Sequence, residues 1–240
     1  QLSPDEAFEL MSTIFSDSAL LLIAFSILLF LALTFIQSFF TAGAIGMSKE
    51  ASLKGDTRIG DMIFYGMKNV SNLFLNRILL SLLYLAGIVF LIPGILSIND
   101  IDTFLTSPET AMYSVSLSLI GILVWVLYLL ILSIVLLFVE HALVIDDLDP
   151  ITAIEKGVSF FLDNKFKILH LWAILVLISM FLNLIGEIFG SVELLAQAWR
   201  FASFAISIIV IQPLITVWWT RFYLNRTGRD LYSFEEYLNY

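Results

Sequence analysis

Glu140, His141, Asp146 and Asp147 crowd the end of one long apolar run, and His170 sits near the start of the next. Imidazoles and carboxylates gathered at a membrane face could hold a metal ion or relay a proton, because ionisable groups in apolar segments are functional suspects. The spacing argues against a helical zinc motif. Glu140 and His141 are chain neighbours, about 100° apart around a helix, whereas that motif places its ligands at i and i+4. The competing reading puts these groups at the headgroup level, or pairs them with Lys165 and Lys167. A second set follows: Ser179, Asn183, Gly186, Glu187 and Gly190 share one side of the fourth run. Glu187 could line a cavity or bind a cation there. Alternatively it reaches the outer interface, while Gly186 and Gly190, a Gly-xxx-Gly pair, let helices approach closely. The candidate polar or ion site is therefore Glu140, His141, His170, Asn183 and Glu187, with any metal left undetermined.

Little else carries chemistry. There is no cysteine, which excludes disulfides, thiolate metal sites and cysteine nucleophiles. No phosphate loop, Ser-His-Asp set or paired-carboxylate signature occurs, so no cofactor is expected. No enzyme activity is expected either, apart from carboxylate chemistry at the inner surface. The net charge is −9 with no basic stripe, which argues against nucleic acid as a partner. Weakly polar faces (Thr34, Gln37 and Thr41; Ser114, Ser118, Gly121, Trp125 and Tyr128; Ser203, Ser207, Gln212 and Thr216) either surround a polar path or make interhelical contacts.

The elements that must position these residues are apolar helices. The 240 residues are 60% hydrophobic and 14% charged, against roughly 25% charged in a soluble domain. The expected fold is all-α, a polytopic transmembrane helix bundle. Spans are expected near 18–47, 77–98, 110–145, 166–190 and 195–224, each at least the roughly 20 residues that a crossing needs. Pro93 and Pro213 are expected to kink them. Residues 3–15 read as an amphipathic helix on the outer interface, capped by Ser3, so that 1–17 precede a single membrane domain over 18–240. Of the 12 Lys and Arg residues, only Arg200 falls outside the connections 48–76 and 146–167, their flanks and the C-terminal end. The positive-inside rule then puts the N-terminus outside and the C-terminus in the cytoplasm of a cell membrane. Trp218, Trp219, Phe222 and Tyr223 should form an aromatic belt at the inner end of the fifth span.

The two basic connections resemble each other. Each reads as an amphipathic elbow helix, with Gly66 and Gly157 in matching mid-helix positions and Ile63, Val70, Ile154 and Phe161 expected to be buried. The pattern suggests parallel repeat units over 18–98 and 110–190, with a partial third over 195–240 whose elbow would start at Ser233-Phe-Glu-Glu.

The stretch from Phe138 to Phe166, with Val-Ile-Asp-Asp-Leu-Asp-Pro (144–150) at its centre, resembles a recurrent element of prokaryotic polytopic membrane proteins. These are similar to the membrane domain attached to some glycerophosphodiester phosphodiesterases. The resemblance implies a helical membrane domain, usually of six spans where five are expected here, and no hydrolase activity. The expectation is an integral membrane protein that is transport-related or lipid-interacting. The alternative is a non-enzymatic scaffold or partner-binding protein. Membrane lipids, a second copy of the chain or another protein are the expected partners.

Overall fold

A computed structural model describes residues 4–98, 112–189 and 193–232. Ser3, most of the acidic connection after Ile98, Gly190 and the segment from Ser233 lie outside it. All regular elements among the described residues are helical: α1 (Pro4–Lys54), α2 (Ile59–Ala86), a 3₁₀ turn (Gly87–Leu91), α3 (Ile92–Leu96), α4 (Met112–Val135), α5 (Val139–Asp146), α6 (Pro150–Phe189), α7 (Glu193–Ile206), a π-helical turn (Ser207–Ile211) and α8 (Gln212–Arg226). They form five stretches long and apolar enough to cross a membrane: Ala19–Lys54, Ile59–Leu96, Met112–Asp146, Pro150–Glu187 and Ala196–Arg226.

Pro93 and Pro213 act where expected. Proline has no N–H and its ring crowds the carbonyl four residues back. The helix answers by tightening to a 3₁₀ turn before Pro93 and widening to a π turn before Pro213. The third span also breaks, without proline, at Leu136–Phe138. There the N–H groups of Leu137 and Val139 reach back only three residues, to Ile134 and Leu136 at 3.3 and 3.1 Å.

Three features depart from the sequence expectation. The helix expected over 3–15 and the first span are one continuous helix. The elbows are likewise the first turns of α2 and α6, because no glycine-proline punctuation separates Phe74 from Arg77 or Asp163 from Phe166. Their buried stripes are shifted from the expected ones. Ile63 is exposed, and Val70, Ile154 and Phe161 are half-buried. Tyr65, Gly66, Asn69, Leu73 and Asn76 on α2, and Ala153, Gly157, Phe160 and Ile168 on α6, face the interior instead. Hydrocarbon solvates an apolar side chain as well as a protein core does, so apolarity alone does not choose the buried face, and small residues and asparagines join Leu73, Phe160 and Ile168 there.

Gly66 and Gly157 set two of those contacts. A Cβ on Gly66 would lie 2.8 Å from the Phe39 ring and 3.0 Å from its carbonyl oxygen. On Gly157 it would lie 2.8 Å from the Val139 Cα. The core is an aromatic cluster around Phe138, whose ring centroid lies 4.7 Å from Phe160, 5.3 Å from Trp219, 5.7 Å from Phe222 and 6.2 Å from Tyr223. Trp219 and Tyr223 therefore belong to the core rather than to an interfacial belt, while Trp218 stays exposed.

Gly55, Asp147 and Gly228 all take the left-handed conformation, at φ of 74°, 54° and 74°. Each lies just beyond the end of a helix. At the last two, the next N–H bonds back to the carbonyl five residues earlier (Leu148 to Leu143 and Arg229 to Leu224, both 3.1 Å), which closes the helix end. Aspartate tolerates this conformation better than most residues.

Candidate functional site

Arg77 lies well inside α2, not at a helix start, and faces α5. Its Nε donates to Glu140 Oε1 at 2.7 Å, and its Nη2 donates to Glu140 Oε2 at 3.3 Å and to Thr41 Oγ1 on α1 at 2.8 Å. This two-point fork fixes both planes as well as both charges. The side chains are 19% and 27% exposed, so the pair is mostly withdrawn from solvent. The break at Leu136–Phe138 starts a new helix just before Glu140. Glu140 points at Arg77, and its neighbour His141 turns into the core.

Beside the pair is a cavity of about 410 Å³, lined by Phe30, Thr34, Gln37, Leu80, Ser81, Tyr84, Ser133, Leu136 and Leu137 with Arg77 and Glu140. The Ser81 and Ser133 hydroxyls donate to carbonyls of their own helices, Arg77 at 2.8 Å and Leu130 at 2.8 Å. That leaves their oxygen lone pairs to accept. The lining thus combines hydroxyls, an amide and a neutralised ion pair with aliphatic and aromatic walls.

A second polar layer ties the helix ends together near the left-handed turns. Asp146 accepts from the Tyr223 hydroxyl at 2.6 Å and pairs with Arg229. Asp147 pairs with Lys68 at 2.6 Å. Lys49 donates to the Ile145 carbonyl at 2.9 Å, where a cation suits the negative end of α5. The Tyr232 N–H donates to the Ser52 carbonyl at 2.9 Å. Glu140, Asp146 and Asp147 therefore pair with Arg77, Arg229 and Lys68, and not with Lys165 or Lys167.

The remaining candidates separate. His141 is buried with its ring 5.7 Å from Phe138, and neither ring nitrogen meets the geometry of a hydrogen bond to a described residue. His170 is exposed on α6. Among the described residues, no group of three or more His, Asp or Glu side chains could hold a metal ion. Asn183, whose amide donates to Ser179 O at 2.8 Å, joins Gly186 and Glu187 at another cavity of about 410 Å³, between α6 and α7. Gly186 faces the indole of Trp199, whose Nε1 lies 3.0 Å from where a Cβ would stand.

The residues that the sequence reading left out are Arg77 and its cavity neighbours Ser81, Tyr84 and Ser133. The signal was present: Arg77 precedes Ile78-Leu-Leu, and an arginine inside an apolar run is a functional suspect in its own right.

The chain belongs to the family described as a domain of unknown function, DUF7847, whose model matches residues 7–222. No curated protein and no solved structure matches it. The family match extends to that uncharacterised domain alone and gives no link to the membrane domains of phosphodiesterases.

Proposed function

We propose that this member of an uncharacterised family is a non-enzymatic, multi-pass membrane protein that binds an amphiphile from the surrounding bilayer. The observation that carries this reading is the cavity beside Arg77 and Glu140. Its polar lining offers the Gln37 amide, the Tyr84 hydroxyl and an arginine whose Nη1 has no bond to a described residue. Phe30, Leu80, Leu136 and Leu137 line the rest. A polar head with an attached chain suits both parts of that wall. Pairing lowers the cost of keeping two charges among apolar helices, and it fixes their geometry for a ligand. Movement of the same amphiphile through the membrane is the corresponding transport activity.

The test is native mass spectrometry of protein released from gentle detergent, with lipid transfer between vesicles measured in parallel. The double variant Arg77→Gln/Glu140→Gln keeps the site neutral and is expected to lose the retained amphiphile. Equal retention and equal transfer in the variant would sink the reading. A scaffold role is favoured by one other observation: Glu155, Lys156, Ser159, Asp163 and Lys165 are all exposed along the first turns of α6, a charged surface open to a protein partner.

A further inference from the structure

The cavity between α6 and α7 has a different chemistry. Glu187 and Asn183 come from α6, and Arg200 and Ser203 from α7, with the Trp199 indole set against Gly186. The carboxylate and the guanidinium line one cavity of about 410 Å³. Yet they do not join each other, since the ion pairs among the described residues all lie elsewhere. Opposite charges that share a cavity without pairing match a ligand that carries both charges itself. Asn183 spends its amide N–H on Ser179, so its side-chain oxygen remains as an acceptor. Glu187 and the Asn183 oxygen suit an ammonium group, one by charge and both as hydrogen-bond acceptors. Arg200 suits a phosphate or carboxylate, which a guanidinium binds in a planar fork, while the Ser203 hydroxyl donates to the Arg200 carbonyl at 3.1 Å and leaves only its lone pairs to the cavity. The volume lies within the range of about 300–1,000 Å³ usual for small-molecule sites.

We propose that the α6–α7 cavity, bounded by Glu187, Arg200 and Trp199, is a binding site for a zwitterion that joins an amine to a phosphate or carboxylate, as an ethanolamine phospholipid headgroup does. This does not depend on the reading of the Arg77–Glu140 cavity, which lies between other helices.

The full chain is placed in nanodiscs or gentle detergent with phosphatidylethanolamine, phosphatidylglycerol or diacylglycerol, and retained lipid is counted by native mass spectrometry. Wild type is expected to prefer phosphatidylethanolamine over diacylglycerol. Glu187→Gln should lower phosphatidylethanolamine retention by roughly tenfold, as loss of one charge-assisted bond implies, and leave phosphatidylglycerol unchanged. Arg200→Gln should lower both. Ala196→Phe, which fills the cavity without touching a charge, should abolish both. Soluble phosphorylethanolamine distinguishes the sources. Competition by it identifies the head group alone as sufficient, and retention of lipid without competition identifies the intact lipid as the ligand. Phosphatidylethanolamine retention equal in wild type, Glu187→Gln and Arg200→Gln overturns the proposal. So does a wild type that binds neither the lipids nor the soluble head.

Discussion

Removing the Glu140 carboxylate alone strands the Arg77 guanidinium beside Thr41, mostly out of solvent. Losing one partner of a fully buried pair costs about 3–5 kcal/mol. With both side chains partly exposed here, Glu140→Leu or Arg77→Met should each cost about 1–3 kcal/mol. The double variant should recover most of that loss, and a double-mutant cycle of melting temperatures in detergent measures the coupling. Additive losses would show that the fork contributes nothing. A smaller change probes packing. Gly157→Ala drives a Cβ to within 2.8 Å of the Val139 Cα, and overpacking of that kind costs about 1–3 kcal/mol. Gly60→Ala, which meets no atom within 4 Å, should be neutral or stabilising by up to about 1 kcal/mol. At this scale the sequence was half legible. It singled out Glu140 and His141, and helical geometry already required them to diverge. It did not pair Glu140 with Arg77, 63 positions away, because no local spacing encodes that distance.

The helices were more legible than their boundaries. Five apolar runs and two proline distortions follow from the chain. The buried stripes do not, since a pattern that separates apolar from polar says little where lipid is the solvent. The Asp149 cap makes a clear prediction. Its Oδ2 accepts from the N–H groups of Ile151 and Thr152, both at 3.2 Å. Hydrogen bonding from Thr152, through its side chain first and then its backbone, holds the Asp149 carboxyl below its ordinary value of 3.8. A lowered folded value means that the cap's full contribution is present above the unfolded value and is lost as pH falls through the folded one. Asp149→Ala should lower the melting temperature at neutral pH, and Asp149→Asn should retain most of it. The gap between wild type and Asp149→Ala should narrow below about pH 3.8. A gap that stays constant into acid would show that the carboxylate is not the cap.

For the whole molecule, orientation is the open prediction, and the absence of cysteine makes it simple to check. Single cysteines at Lys156 and Gln197, both exposed, should react with a membrane-impermeant maleimide from opposite sides of sealed cells or vesicles. Lys156→Cys should react only from the cytoplasmic side, as the distribution of basic residues requires. Labelling of both from one side would remove the five-span arrangement. Four ties between helices gather near the left-handed turns: Lys49 to Ile145, Lys68 to Asp147, Asp146 to Arg229 and Ser52 to Tyr232. Leu20 to Leu29 on α1, by contrast, are all exposed. In a bilayer, acyl tails would cover the faces that the rest of the described chain leaves open there. The bilayer then supplies part of the tertiary structure, and chain length and saturation of the host lipid become determinants of stability alongside the amino-acid sequence.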